Sequence, residues 1–451
     1  MAPALGSRLR PFLAALIAAA LLITPFTRMP RASAADATLV VAAIRVLQED
    51  YVDQVQPVAL LNAALAVLRK ATSLGADALP DIPASTPASD AAVQFTAAFQ
   101  KAAQTGAMPE TELAYTATAG MLASLRDSHT FFLDPAALRE SRRQISGNPG
   151  FTGIGVTIVA RKDASGTSWI FVEDVFPGSP AAGAGVKRFD RIVEVDGKPL
   201  KDVNVVDASQ MIRGPAGSTA SLTVQRAGRA IPLSVVRAAI RVPPVEARFA
   251  SPGVAYLKVF GFSQGAGREL RQGITTLSRE GQIKSAILDL RGNPGGLIIE
   301  AASVGGIFLP TRTVLARITE RGEQPSVLRS SGTSPLDKTP LVILVDGQSA
   351  SASEILTGAF KDYKRGTIIG EKTAGALGGS VTVPLPEGGM SVTVERIQTP
   401  KNTAVEAVGI APDVPVTLTV ADMERGQDTQ LQAALRALHV AWEWLLRPRA
   451  A

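Results

Sequence analysis

The chain of 451 residues contains no cysteine. Disulfides, thiol catalysis and cysteine-ligated metal are thereby excluded. It has only two histidines, His129 and His439, too few for a histidine-based metal site. Aromatic residues make up 5% of the chain, so stability must come from an aliphatic core. A strong charge of one sign is also missing. The formal net charge is +6, but Arg8, Arg10, Arg28 and Arg31 all precede position 35, where no acidic residue occurs. Setting these four aside leaves 42 basic against 40 acidic side chains, or +2. Such a balance gives no support to a nucleic-acid partner.

What is present begins with a targeting pattern. Arg8 and Arg10 precede an apolar run, Pro11 to Phe26, and Ala32-Ser33-Ala34 follows as an A-x-A motif. This predicts a secretory signal over 1–34, cleaved after Ala34. The run is short for a membrane span of ~20 apolar residues. Membrane contact is expected only if the segment stays uncleaved. The expected location is the periplasm or the exterior.

Three regions follow. Residues 35–145 read mainly helical, with Leu39, Ala42, Ala43, Val46 and Leu47 at helical spacing. Residues 146–240 read mainly as strands, interrupted by one helix, Val205 to Ile212. Over 241–420, strands and helices alternate, which predicts a layered α/β core with a largely parallel sheet. A terminal helix over 421–451 carries Trp442, Trp444 and His439, and the terminal helices could form a homodimer.

Two turns follow buried-looking strands in the α/β region. One is Asp289-Leu290-Arg291-Gly292-Asn293-Pro294-Gly295-Gly296; the other is Val345-Asp346-Gly347-Gln348-Ser349-Ala350-Ser351-Ala352-Ser353-Glu354. Sites in α/β sheets form beyond the carboxyl ends of strands. Glycine pairs expose backbone N–H groups suited to a developing oxyanion. A serine at a helix start gains from free donors. Either turn alone is better explained as a tight turn or a helix cap. The two together, on successive units, favour a site.

These residues resemble the C-terminal processing peptidases, or tail-specific proteases. The resemblance covers nearly the whole chain after residue 34. It includes Glu49-Asp50-Tyr51-Val52, Asp127-Ser128-His129-Thr130, Gly370-Glu371, Thr399-Pro400 and Gly409-Ile410-Ala411-Pro412-Asp413-Val414. Phe151 to Val156, Pro177 to Ala182 and Asp190 to Gly197 look like an embedded PDZ domain. The implied fold is multidomain α/β: a layered serine-peptidase core of the ClpP/crotonase type, an inserted PDZ domain and a helical N-terminal region. The implied activity is serine endopeptidase action at polypeptide C-termini, needing no cofactor and no metal. A crotonase-type acyl enzyme would have no place for the PDZ domain.

The resemblance makes Ser351 the nucleophile, with oxyanion donors at Gly295 or Gly296 and at Ala352. It implies a peptide-binding loop of Thr152, Gly153, Ile154 and Gly155. Val156, Met211 and Ile212 join Ile154 around an apolar pocket, which predicts unstructured substrates with apolar C-termini. The family's base is a lysine, but that position here is Ala376, and a glutamine four residues on is Ser380. Three readings of the base stay open. His129 has an imidazole with a reference pKa of ~6.5, suited to a base at neutral pH. Its segment resembles relatives of the tricorn core protease, which pair serine with an earlier histidine. Glu406 or Asp413 could orient such a histidine. Lys372 would need deep burial to act, on a strand running from Ile368 to Lys372. With no base, the chain would be a catalytically inactive PDZ peptide-binding adaptor.

Overall fold

Four helices open the computed structural model: Ala37–Asp50, Pro57–Thr72, Ala88–Ala103 and Glu110–Ala123. Residues 36–145 and 151–446 are described, so the expected signal segment lies outside them. The first helix starts where the Asp36 carboxylate accepts from Thr38 N at 2.7 Å, satisfying one orphan donor. Pro57 opens the second, where a missing N–H costs little. Leu39, Leu47, Leu61, Leu65, Phe95, Phe99 and Met121 share one core. Met390 and Val392, from a strand far downstream, complete it.

A small β domain follows. Its sheet has the strand order Val156–Lys162, Ser168–Val175, Arg191–Val195, Thr219–Arg226, Arg229–Val236, with Lys198–Pro199 paired to Arg191–Val195. Strand Val156–Lys162 therefore lies at the edge of the sheet. Helix Val205–Ile212 shares an apolar cluster with it, including Ile154, Val156, Met211 and Ile212. Asn204 caps this helix by accepting from Asp207 N at 2.9 Å.

The α/β core is a six-stranded sheet ordered Val245–Ser251, Val254–Val259, Ser285–Asp289, Leu341–Val345, Thr367–Gly370, Val414–Pro415. All pairings are parallel except the first. Every residue of Ser285–Asp289 and Leu341–Val345 is buried, as expected of strands covered on both faces. Helices Ile298–Phe308 and Ala352–Asp362 cover one face, packing Phe308 against Phe360. Helix Thr429–Leu446 covers the other, through Ala434 and Leu438. Among the described residues no helix is long and apolar enough to cross a membrane.

Two expectations are corrected. The strand through Ile368 ends at Gly370, so it does not carry Glu371 and Lys372. Gly370 has φ of +132°, and a Cβ there would fall 2.0 Å from Val345 O. The second correction is an unforeseen sheet: Phe131–Leu133, Gly389–Gln398, Val314–Glu320 and Ser326–Arg329, with Gly378–Pro384 paired to Gly389–Gln398. This sheet joins the N-terminal region to the core.

Candidate active site

The serine turn distinguishes its three hydroxyls. Ser349 is buried and its Oγ donates to Leu290 O at 2.9 Å. Ser353 is buried and donates to Asn293 O at 3.0 Å. Ser351 is half-buried and stands at the cap of helix Ala352–Asp362, in a capping box with Glu354. Its φ is +53°, in the left-handed region. Such a conformation is costly for a residue with a side chain and is held in place by its surroundings.

Those surroundings are backbone and one buried carboxylate. Ser351 N donates to Ala376 O at 2.8 Å. Glu354, fully buried, accepts from Thr373 Oγ1 at 2.6 Å, Gly375 N at 2.7 Å, Ala376 N at 2.9 Å and Ser351 N at 3.1 Å. Four donors satisfy a charge that would be expensive to bury alone. The Thr373-Ala374-Gly375-Ala376 segment is thus locked beside the serine turn, although Ala376 brings no base.

The glycine turn packs directly on Ser351. Gly295 has φ of +102°, and a Cβ there would lie 2.7 Å from Ser351 Cβ and 3.0 Å from Ala352 N. The Gly295 N–H is already spent on Asn293 Oδ1 at 2.8 Å, which removes Gly295 as an oxyanion donor. Gly296 N–H and Ala352 N–H have no partner among the described residues.

The unforeseen sheet delivers His129. Strand Phe131–Leu133 pairs with Gly389–Gln398, and Thr393 N donates to Thr130 Oγ1 at 3.0 Å. Asp127 fixes the preceding turn, accepting from His129 N at 2.9 Å and Thr130 Oγ1 at 2.7 Å. Burial pushes the Asp127 carboxyl up, but hydrogen bonds from Thr393, Thr130, His129 N–H and Tyr51 outweigh this and hold it below its ordinary value. A Cβ on Gly378 would lie 3.2 Å from His129 Nδ1. Gly378 is two residues past Ala376, the residue bonded to Ser351. The imidazole and the serine thus flank one short segment.

A carboxylate stands behind the imidazole. His129 Nδ1 lies 3.1 Å from Ser128 Oγ, which donates to Glu406 Oε1 at 3.1 Å. Glu406 Oε2 is 3.9 Å from His129 Nδ1 and accepts from Leu377 N at 2.6 Å. Nothing local in the sequence links Ser128 to Glu406. Asp413 is not at this site; it pairs with Lys361 at 3.2 Å. Lys372 is exposed, with its stem against Gly409. The burial on which a lysine base depends is absent there. Asp127, His129 and Glu406 place one ligand atom each within 4.8 Å of one another. The hydrogen bonds already filling Asp127 leave it poorly suited to a metal.

In the β domain, Gly155 has φ of +84°, and Ile154 N–H and Gly155 N–H have no partner among the described residues. Thr152 and Gly153 pair with Ala239 and Ala238. Ile154 and Ile212 are buried, while Val156 and Met211 remain half-exposed beside the edge strand. The side chain of His439 lies outside the described residues.

Comparison with known proteins agrees with this layout. The model of peptidase family S41 matches residues 253–416, and that of the PDZ domain matches 144–225. A carboxyl-terminal-processing protease of Synechocystis is 33% identical over 72% of this chain and 77% of its own. A carboxy-terminal-processing protease of Bartonella bacilliformis is 32% identical over 69% of this chain and 71% of its own. Among solved structures, a photosystem II D1 C-terminal processing protease is 28% identical, with a TM-score of 0.51, over 84% of this chain and 93% of that one.

Proposed function

Because this chain belongs to the carboxyl-terminal processing proteases of peptidase family S41, serine-type peptidases, we propose that it cleaves polypeptides with Ser351 as nucleophile and His129 as base. The observation that carries this reading is the chain of contacts from His129 Nδ1 through Ser128 Oγ to Glu406, set against Gly378, two residues past the Ala376 carbonyl that Ser351 N bonds. Nδ1–H donates to Ser128, and Ser128 donates to Glu406. That choice of tautomer leaves Nε2 as the basic nitrogen.

The steps follow from these roles. Ser351 Oγ attacks the peptide carbonyl carbon as His129 Nε2 takes the hydroxyl proton. The carbonyl oxygen becomes an oxyanion, stabilised by the N–H groups of Gly296 and Ala352. The C–N bond then breaks, and the leaving amine takes the proton from His129. Water, deprotonated by the same imidazole, releases the acyl group and restores Ser351. Glu406 steadies the imidazolium that forms in each half.

Substrate capture falls to the PDZ domain. An extended chain end adds to edge strand Val156–Lys162, its carboxylate meeting the N–H groups of Ile154 and Gly155. Val156, Met211 and Ile212 favour an apolar last residue. The targeting pattern over 1–34 supports action outside the cytoplasm. The test is fluorophosphonate labelling and proteolysis of an unfolded protein by the wild type beside Ser351→Ala. Labelling and cleavage confined to the wild type support the reading; a wild type that binds peptide but neither labels nor cleaves overturns it.

A further inference from the structure

The PDZ domain reaches the catalytic turns through one acidic side chain. Glu173, on strand Ser168–Val175, is 7% exposed. Gln348 Nε2, on the serine turn, donates to its two oxygens at 3.3 and 3.2 Å. On the other side is the glycine turn: a Cβ on Gly292 would lie 3.0 Å from Glu173 Oε2. One carboxyl group therefore touches both turns that flank Ser351. Asp346 ties the same turns together from within, accepting from Gly292 N at 3.0 Å, Gln348 N at 3.0 Å and Ser349 N at 3.1 Å.

Resting on the peptidase reading of Ser351, we propose that Glu173 is a positioning residue, through which the docked PDZ domain holds the oxyanion turn and the serine turn in register. The docking around it is substantial. Asp174 pairs with Lys258 at 2.8 Å, Arg188 with Asp428 at 3.0 Å, and Arg291 with both Asp289 and Asp428. Phe176 meets Phe260 edge-on at 5.5 Å. Three cations and three anions balance in this network. Glu173 and Asp346 remain beside it as a pair of carboxyl groups, both set against Gly292.

The charge on Glu173 decides how well the junction closes. The groups acting on it are Asp346 from the serine turn, Lys258 from the core sheet, and Asp174 and Arg188 from its own domain. Burial pushes its carboxyl up to about 7, Asp346 pushes in the same direction, and Lys258 opposes. The folded form therefore prefers the neutral acid. Its contribution to docking is full below the ordinary carboxylate range and is lost as pH rises through about 7. Above that pH the ionised Glu173 repels Asp346, and the two turns lose their shared support.

The experiment measures kcat and KM for cleavage of an unfolded protein from pH 5.5 to 9, using full-length wild type, Glu173→Gln and Glu173→Ala. Fluorophosphonate labelling of Ser351 is followed in parallel. The wild type falls on the alkaline side with a midpoint near 7 in both readouts. Glu173→Gln keeps a neutral group in place, loses that alkaline fall, and exceeds the wild type by roughly tenfold at pH 8.5. Glu173→Ala lowers kcat roughly tenfold below pH 7 while KM holds, and the difference from wild type closes above it. A Glu173→Gln variant that keeps the wild-type fall, or a wild type with none, overturns the proposal; this holds even if the alanine variant fails to fold. A wild type inert at every pH would instead sink the peptidase reading itself.

Discussion

His129 Nδ1 stands 3.9 Å from Glu406 Oε2, with the Ser128 hydroxyl 3.1 Å from each of these two side chains. The three residues come from opposite ends of the chain. Under the proposed function, their meeting gives Ser351 the base that Ala376 cannot be. Glu406→Gln keeps shape but removes the charge that steadies the imidazolium. A fall in kcat of about 10²-fold or more, with KM little changed, is the expected result. Ser128→Ala should cost about tenfold, as the relay loses its middle member. Steady-state kinetics on an unfolded protein substrate would check both.

Gly378 offers a steric test of the same site. A methyl group there would lie 3.2 Å from His129 Nδ1 and 3.3 Å from Thr393 Cγ2. One of the two must yield, and the ring is the freer. Gly378→Ala is expected to lower kcat by about tenfold, since small misplacements of a base are expensive. Thermal melting should move by only a few degrees. A variant that melts far earlier would assign Gly378 to the sheet instead.

Gly295 tests the packing of the two turns. A methyl group at φ of +102° is strained, and here it would also strike Ser351 Cβ at 2.7 Å. Gly295→Ala should abolish fluorophosphonate labelling while circular dichroism shows a folded chain. Normal labelling would mean that Ser351 is not the nucleophile that this turn supports.

The buried ion network makes a stability prediction. Arg291 bonds both Asp289 and Asp428 and is 2% exposed. Arg291→Met leaves buried Asp289 and half-buried Asp428 without their shared cation. The expected loss is about 3–5 kcal/mol, read from the urea midpoint at pH 7. Burial pushes the Asp289 carboxyl up, but Arg291 and Lys258 outweigh it and hold the group far below its ordinary value. A depressed carboxyl contributes stability above its unfolded pKa and loses it as pH falls. The variant should therefore lose less on acidification than the wild type.

The parts legible in the sequence are those with a local signature. Leu341–Val345 is a run of apolar residues buried on both faces, and such strands announce themselves. The serine and glycine turns follow strands of this kind. The second sheet has no such signature. Phe131–Leu133 is three residues long, and Gly378–Pro384 begins with two glycines. Gly389–Gln398 opens with five buried residues in succession, so it lacks the alternation that marks a half-buried strand. That sheet is what carries His129 to Gly378. The sequence could therefore offer His129 as a candidate but not its neighbours. The Gly295 N–H is illegible for a related reason: a side-chain acceptor, Asn293 Oδ1, takes it, and no residue pattern reports such a bond. Glu173 carries no local signature either, because its partners, Gly292 and Gln348, lie more than a hundred residues away in the sequence.

The central claim is that His129 is the base for Ser351. The most direct test is the proteolysis rate of purified His129→Ala beside wild type and Ser351→Ala, on an unfolded protein with an apolar C-terminus, with circular dichroism confirming folded samples. The account predicts that His129→Ala falls to the level of Ser351→Ala. A His129→Ala variant that cleaves at the wild-type rate would contradict it.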